Sequence, residues 1–184
     1  VLQKLRKLKV TTSSGPDGMD AALLKNAGES LALPLSQLFE FLFNSCCVPK
    51  DWKLARVTPI FKKGKSSERS NYRPISLTSL CCKVMESVIK DELLTYLLSN
   101  GLITRHQHGF LRRRSTGTQL LDCLNDWTLN VENKLSSDVV YIDFAKAFDS
   151  VVHSKLIAKL VSYGISGNLL SWLHDFLINR YQFV

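Results

Sequence analysis

Nowhere in the 184 residues is there a run approaching the ~20 uncharged apolar residues that a membrane-spanning helix needs, so no span is expected. The opening VLQKLRKLKV has no long apolar core of the secretory-signal kind. It also lacks an initiator Met, and LINRYQFV brings no terminator, so the sequence reads as a stretch of a longer frame. Internal repeats, low-complexity tracts and heptad arrays are missing, which excludes solenoids and coiled coils. Cysteine is present without a usable pattern. Cys46-Cys47, Cys81-Cys82 and a lone Cys123 suit neither a disulfide framework nor a zinc site with two-residue spacers. Reduced, mostly buried thiols in an intracellular protein, cytoplasmic or nuclear, are the plain reading. The histidines do not join them at ligand spacing, and His106 and His108, in a polar basic loop, are read as non-ligands. Negative charge is the scarce sign: 16 Asp and Glu stand against 24 Lys and Arg, a net +8, which favours an anionic partner such as nucleic acid.

What is there is enough for one domain, or a piece of a larger one, with 45% hydrophobic residues to build a core. Residues 1–10 alternate Leu with Lys or Arg as in the last turns of a helix. Ser14-Gly15-Pro16-Asp17-Gly18 gathers nearly every turn-forming residue. Helical periodicity follows over Asp20–Ala27 and Leu31–Cys46, where Leu31, Leu35, Leu38, Phe39, Leu42 and Phe43 share a face. Pro34 is tolerable there only in a first turn. Further helices are expected at Leu80–Leu98, stopped by Asn100-Gly101, from Ser115 to about Val131, at about Ser154–Tyr163, and at Asn168–Asn179.

Two basic stretches interrupt this pattern. Arg56–Phe61 and Tyr72–Leu77 read as short strands joined by a polar loop, and Lys50–Arg73 carries eight Lys and Arg against Asp51 and Glu68. Such a ribbon either grips phosphates, Arg by its fork and Lys as a point charge, or is a solvated surface hairpin. Arg112-Arg113-Arg114 precede Ser115, a candidate helix cap. Basic residues beside helix-start amides make either an anion-friendly corner or an ordinary basic loop.

The chain is organised around Val139–His153. Val139-Val140-Tyr141-Ile142 reads as a buried strand that delivers Asp143 at its tip, with a second carboxylate, Asp149, six residues on. A rigid strand ending in an acid is one way to hold a divalent metal; equally, Asp143 could cap a turn.

Taken in order, SSGPDG, PIFKKGKSSERSNYRPISL, QHGFLRRRST, YIDFAKAFDSVVHSKL and YGISGNLLSWLHDFLINRYQFV resemble the reverse transcriptase domain of non-LTR (LINE-type, jockey-like) retrotransposons. The resemblance implies an α+β right-hand polymerase, mostly helical, with fingers over about 1–135, a small basic hairpin, and the start of a palm over about 136–184. Asp143 matches the first catalytic carboxylate on the central palm strand. With the Phe144 backbone carbonyl it would bind Mg2+, two ions being expected in the full-length enzyme and weak or no binding in this truncated stretch. Lys62 and Arg73 match residues that hold the triphosphate, Lys63 sharing with Lys62. Phe148 matches the aromatic gate that favours deoxynucleotides. Gly109, Phe110, Arg112, Arg113 and Arg114 match a template-supporting motif, although Leu111 replaces a residue that is often basic and Arg113 stands where glycine is common. Asp149 and His153 are read as structural, Asp149 organising the turn. RNA template, DNA primer and deoxynucleotides are the implied partners, and no membrane is involved.

One family feature is missing from these residues: no two aspartates are adjacent, so the aromatic-Ala-Asp-Asp turn that completes the site has no counterpart here. The function implied is part of an RNA-directed DNA polymerase. The alternatives are a non-catalytic nucleic-acid-binding remnant, a product without function, or a group II intron maturase.

Overall fold

The computed structural model describes residues 1–184, and they form two compact units. The first comprises Val1–Leu94 with Val152–Val184; the second is Thr95–Val151. The chain is α+β and mostly helical, with one small sheet. No helix is long and apolar enough to cross a membrane.

In the first unit, α1 (Leu2–Arg6), α2 (Ala21–Asn26) and α3 (Gly28–Asn44) pack with the start of α4 (Leu80–Ser99). Asp20 caps α2 by accepting the Ala22 N–H at 2.6 Å. Two helices close the unit, α6 (His153–Ser162), ended by Gly164 at φ 82°, and α7 (Gly167–Leu177). Leu5, Leu24, Leu80, Cys82, Val84, Met85 and Trp172 are buried to 2% exposure or less, which puts the core between α1, α2, α4 and α7. Cys82 lies there as a packed thiol. Burial pushes its pKa up, and the neighbouring Glu86 adds to the shift, so it stays protonated. Of the five cysteines, however, only Cys81 and Cys82 are buried, and Cys47 is exposed, because α3 ends before Cys46-Cys47 and leaves them at the surface.

Pro34 departs from expectation. Because α3 starts at Gly28, Pro34 lies in its second turn. The missing N–H leaves the Ser30 carbonyl without its helical partner, and Ser30 is exposed, so water can satisfy it.

The SSGPDG loop is more than a turn. Gly18 N–H closes it on the Gly15 carbonyl at 3.1 Å, with Gly18 at φ 66°. Gly15 is buried, and a Cβ there would stand 2.6 Å from the Thr78 carbonyl carbon and oxygen. The loop therefore packs backbone against backbone on the residues that enter α4.

The sheet has the order β2-β1-β3. β1 (Leu54–Phe61) and β2 (Tyr72–Leu77) form the expected antiparallel hairpin, with Ile60 opposite Arg73 and Phe61 opposite Tyr72. The Lys62 N–H donates to the Asn71 carbonyl at 2.8 Å, so by alternation Ile60–Arg73 and Thr58–Ile75 are the pairs that exchange ladder bonds. Pro59 opposes Pro74 in a pair that does not, so neither missing N–H costs a bond between these strands. β3 (Tyr181–Phe183), which periodicity did not reveal, runs parallel to the first residues of β1. Arg180 holds its approach by donating Nη1 to the Phe176 carbonyl at 2.9 Å and lying 4.8 Å over that ring.

Asp175 of α7 joins the sheet entrance to the core. It accepts from Val48 N–H at 2.7 Å and from Lys53 Nζ at 2.8 Å, where Lys53 is 8% exposed. Burial by itself raises the Asp175 pKa. The Lys53 and Val48 hydrogen bonds and the charges of Lys53 and His174 outweigh it and hold the carboxyl below its ordinary value.

The second unit holds the end of α4, with Gly101 at φ 64° as its stop, and α5 (Thr116–Glu132). It contains no strand. The central palm strand expected at Val139–Ile142 is not formed: the segment is irregular, and Val140, Tyr141 and Ile142 are at least 75% exposed. A strand requires a neighbour for its N–H and C=O groups, and nothing in this unit supplies one. Residues 145–150 are turns. Asp149 was expected to organise them, but its carboxylate makes no hydrogen bond; Ser150 Oγ donates to the Ala147 carbonyl instead, at 3.2 Å.

Gly15→Ala forces two backbone segments apart and is expected to destabilise the first unit by about 2 kcal/mol in urea denaturation. Asp175→Ala leaves Lys53 buried and unpaired and is expected to cost about 3 kcal/mol. Because the folded pKa of Asp175 is depressed, the pair's stabilisation is present above the ordinary carboxylate value. It is lost progressively below about pH 4. The wild-type melting temperature should therefore fall on acidification more than that of the Asp175→Ala variant.

Candidate functional site

In the first unit the candidate residues lie on the β1–β2 ribbon. The ladder alternation puts Arg73 on the same face as Ile60, and the two-residue period adds Lys62 to that face. Phe61 and Tyr72 occupy the other face, their rings 5.4 Å apart and edge to face. Lys63 falls in the bend just past the ladder. Lys62, Lys63 and Arg73 are all exposed, so their charged ends are open to a ligand.

The connecting loop is tied by residues that the basic count did not single out. Asn71 Nδ2 donates to the Lys65 carbonyl at 2.9 Å and to Glu68 Oε2 at 3.2 Å, and Tyr72 OH donates to the Ser66 carbonyl at 2.9 Å. Gly64 sits at φ 93° against the Asn71 amide, where a Cβ would meet it at 2.6 Å. Asn71-Tyr72 thus fasten the tip whose lysines would otherwise splay.

In the second unit the loop before α5 carries Gly109, Phe110 and Arg112–Arg114. Ser115 caps α5 as expected: its Oγ accepts the Thr118 N–H at 3.2 Å, and Thr118 Oγ1 accepts the Ser115 N–H at 2.9 Å. Arg113 has φ 61°, a left-handed conformation that glycine adopts freely, which gives a physical reason for glycine at this position. Phe110 is also left-handed, at φ 63°, and its ring is 88% exposed. The loop also brings Phe110 edge-on to Phe148, with ring centroids 6.1 Å apart and planes at 85°.

His108 is the residue that sequence reasoning undervalued. It is buried, with Nδ1 2.9 Å from Thr118 Oγ1 and Nε2 3.1 Å from Asp122 Oδ2. It clamps the loop to the first turns of α5, whereas His106 stays exposed. The available signal was Thr118 and Asp122 at i, i+4, two polar side chains on one helix face.

Asp143 and Phe144 lie in the irregular exposed segment, and no group of three His, Cys, Asp or Glu side chains converges anywhere to hold a metal ion. The residues of this chain do not by themselves fit a divalent cation.

The family model for reverse transcriptase (RNA-dependent DNA polymerase) matches residues 60–184, from the β1 end of the ribbon through Asp143 to the final residue. The chain belongs to the reverse transcriptase family. It is similar to the probable RNA-directed DNA polymerase from transposon BS of Drosophila melanogaster, 30% identical over 95% of this chain and 20% of that protein. It is also similar to the RNA-directed DNA polymerases from mobile element jockey of Drosophila melanogaster, 30% identical over 84% of this chain and 17% of that protein, and of Drosophila funebris, 28% identical over 98% and 20%. These are non-LTR retrotransposon polymerases, and the chain spans about a fifth of the length of the curated relatives it matches. Divalent-metal dependence and the use of nucleic acid and nucleotide substrates are general properties of this family.

His108→Ala removes both clamp contacts and is expected to destabilise the second unit by about 2 kcal/mol. His106→Ala, at an exposed position, should stay within about 0.5 kcal/mol. Chemical denaturation of the two variants beside the parent makes the comparison.

Proposed function

We propose that this chain is the nucleic-acid- and nucleotide-binding portion of a non-LTR retrotransposon's RNA-directed DNA polymerase. The observation that carries the reading is the ribbon register, which gives Lys62 and Arg73 a common face at the end of a fastened hairpin. On that face they grip the triphosphate of a deoxynucleotide, Arg73 by its fork and Lys62 as a point charge, with Lys63 assisting from the bend. Phe148, backed by the Phe110 ring, supplies the surface that disfavours a 2′-hydroxyl. Gly109, Phe110 and Arg112–Arg114 support the RNA template along which a DNA primer is extended.

In this reading the residues before about 135 are fingers and those after it begin the palm. Asp143 and the Phe144 carbonyl contribute to a site for two magnesium ions, completed by carboxylates that these residues do not include. With those further carboxylates in place, such ions would supply activation of the attacking hydroxyl and neutralisation of the leaving pyrophosphate. Val139–Ile142 becomes a strand when palm neighbours pair with it.

A second reading is a nucleic-acid-binding remnant without catalysis, for which the exposed basic residues of the ribbon and loop would suffice. Primer extension on an RNA template separates the two. A chain extended through paired aspartates should incorporate deoxynucleotides and lose this with Asp143→Ala, whereas the chain described here should incorporate none. A silent extended chain would decide for the remnant.

Binding itself is tested by salt. If the basic clusters contact about five phosphates of a single strand, log K against log salt should fall with a slope near −3.5, at about 0.7 per phosphate. Replacing Arg112, Arg113 and Arg114 together by Ala should shorten that slope by about 2 and leave the circular dichroism spectrum unchanged. A slope indistinguishable from zero rules out this mode of binding.

A further inference from the structure

The loop and α5 of the second unit flank an open recess whose α5 side the reading above does not use, while Arg114 belongs to both. Arg105, His106 and Arg114 line one side, Asp122, Asn125 and Asp126 the other, around a cavity of about 420 Å³. The three α5 residues are spaced i, i+3, i+4 and share one helix face. Part of each wall is held by hydrogen bonds. Arg105 Nε donates to His106 Nε2 at 3.2 Å, Arg114 donates Nη1 to the Arg105 carbonyl, and Asp122 Oδ2 is held by His108.

The opposing charges nevertheless do not close on one another. Neither Arg105 nor Arg114 forms an ion pair with Asp122 or Asp126, and the Asn125 and Asp126 side chains make no hydrogen bond within the protein. Cations and acceptors held apart across such a gap suit a ligand that is anionic at one end and rich in N–H donors at the other. Inorganic phosphate satisfies only the first condition.

We propose that this recess binds one unpaired guanine nucleotide of an RNA strand. Its phosphate meets Arg105 and Arg114, and its Watson–Crick edge meets α5. The Asp126 carboxylate presents two acceptors side by side, matching guanine N1–H and N2–H, and the Asn125 amide donates to O6. Adenine and cytosine each pair one amino donor with a neighbouring acceptor, and uracil places its single N–H between two carbonyls. Guanine alone presents two adjacent donors. The inference rests on the nucleic-acid reading for the source of the base, while the choice of base rests on the recess alone.

The test is equilibrium titration of the chain with GMP, AMP, CMP, UMP and inorganic phosphate, then with oligoadenylate carrying or lacking one central guanine. GMP should bind about tenfold or more tightly than the other nucleotides. Asp126→Asn should reduce GMP to the AMP level without weakening phosphate binding. Arg114→Ala should weaken all four nucleotides and phosphate alike. The guanine-bearing oligonucleotide should gain the same factor, and Asp126→Asn should abolish it. Equal affinity for the four nucleotides, or indifference of GMP to Asp126→Asn, overturns the site. Salt-dependent oligonucleotide binding without a guanine preference also overturns it and leaves the nucleic-acid reading standing. A GMP preference with no oligonucleotide binding overturns the RNA source and that reading together, and keeps a guanine nucleotide site.

Discussion

Every backbone N–H and C=O that leaves water must find a partner, and this constraint separates the ordered from the irregular parts of the chain. β1 has β2 on one side and β3 along its first residues on the other, so its register is fixed and its side chains have defined faces. Val139–Ile142 has the stronger strand composition and no neighbour, and it lies exposed without regular structure. Composition sets what a segment can become; pairing decides whether it does.

The same constraint shapes the ribbon. Its two prolines face each other where no ladder bond is required, and beyond β3 the outer edge of β1 includes a residue that cannot donate. Past Phe61 the ladder would fray into a lysine-rich loop. Asn71 and Tyr72 prevent this by bonding carbonyls of that loop, so a tip of like charges is held in one arrangement. The electrostatic cost of gathering Lys62, Lys63 and Lys65 is carried by the hydrogen bonds beneath them. The arginine loop uses the same design with other parts: His108 and the Ser115–Thr118 box hold it to α5, and the arginines project from a fixed base.

The first unit shows how a buried charge can serve architecture. Asp175 satisfies Lys53 and the Val48 N–H at once, joining α7 to the residues that lead into β1. α7 then runs on through Arg180 into β3, so one carboxylate helps set both ends of the segment that completes the sheet.

The sequence by itself determined the family, the helices with clear caps and stops, the β1–β2 hairpin, and the identity of the basic clusters. Those signals are local: a helix face, a Ser115 cap, a Gly101 stop and a ribbon of alternating residues are written within a few positions of one another. Tertiary structure alone decided that Gly15 packs on Thr78, that β3 joins β1, that His108 is a buried clamp while His106 is not, and that Phe110 meets Phe148. It also decided against a strand at Val139–Ile142. Each of these depends on partners distant in sequence, and no periodicity within a segment records whether its partner is present.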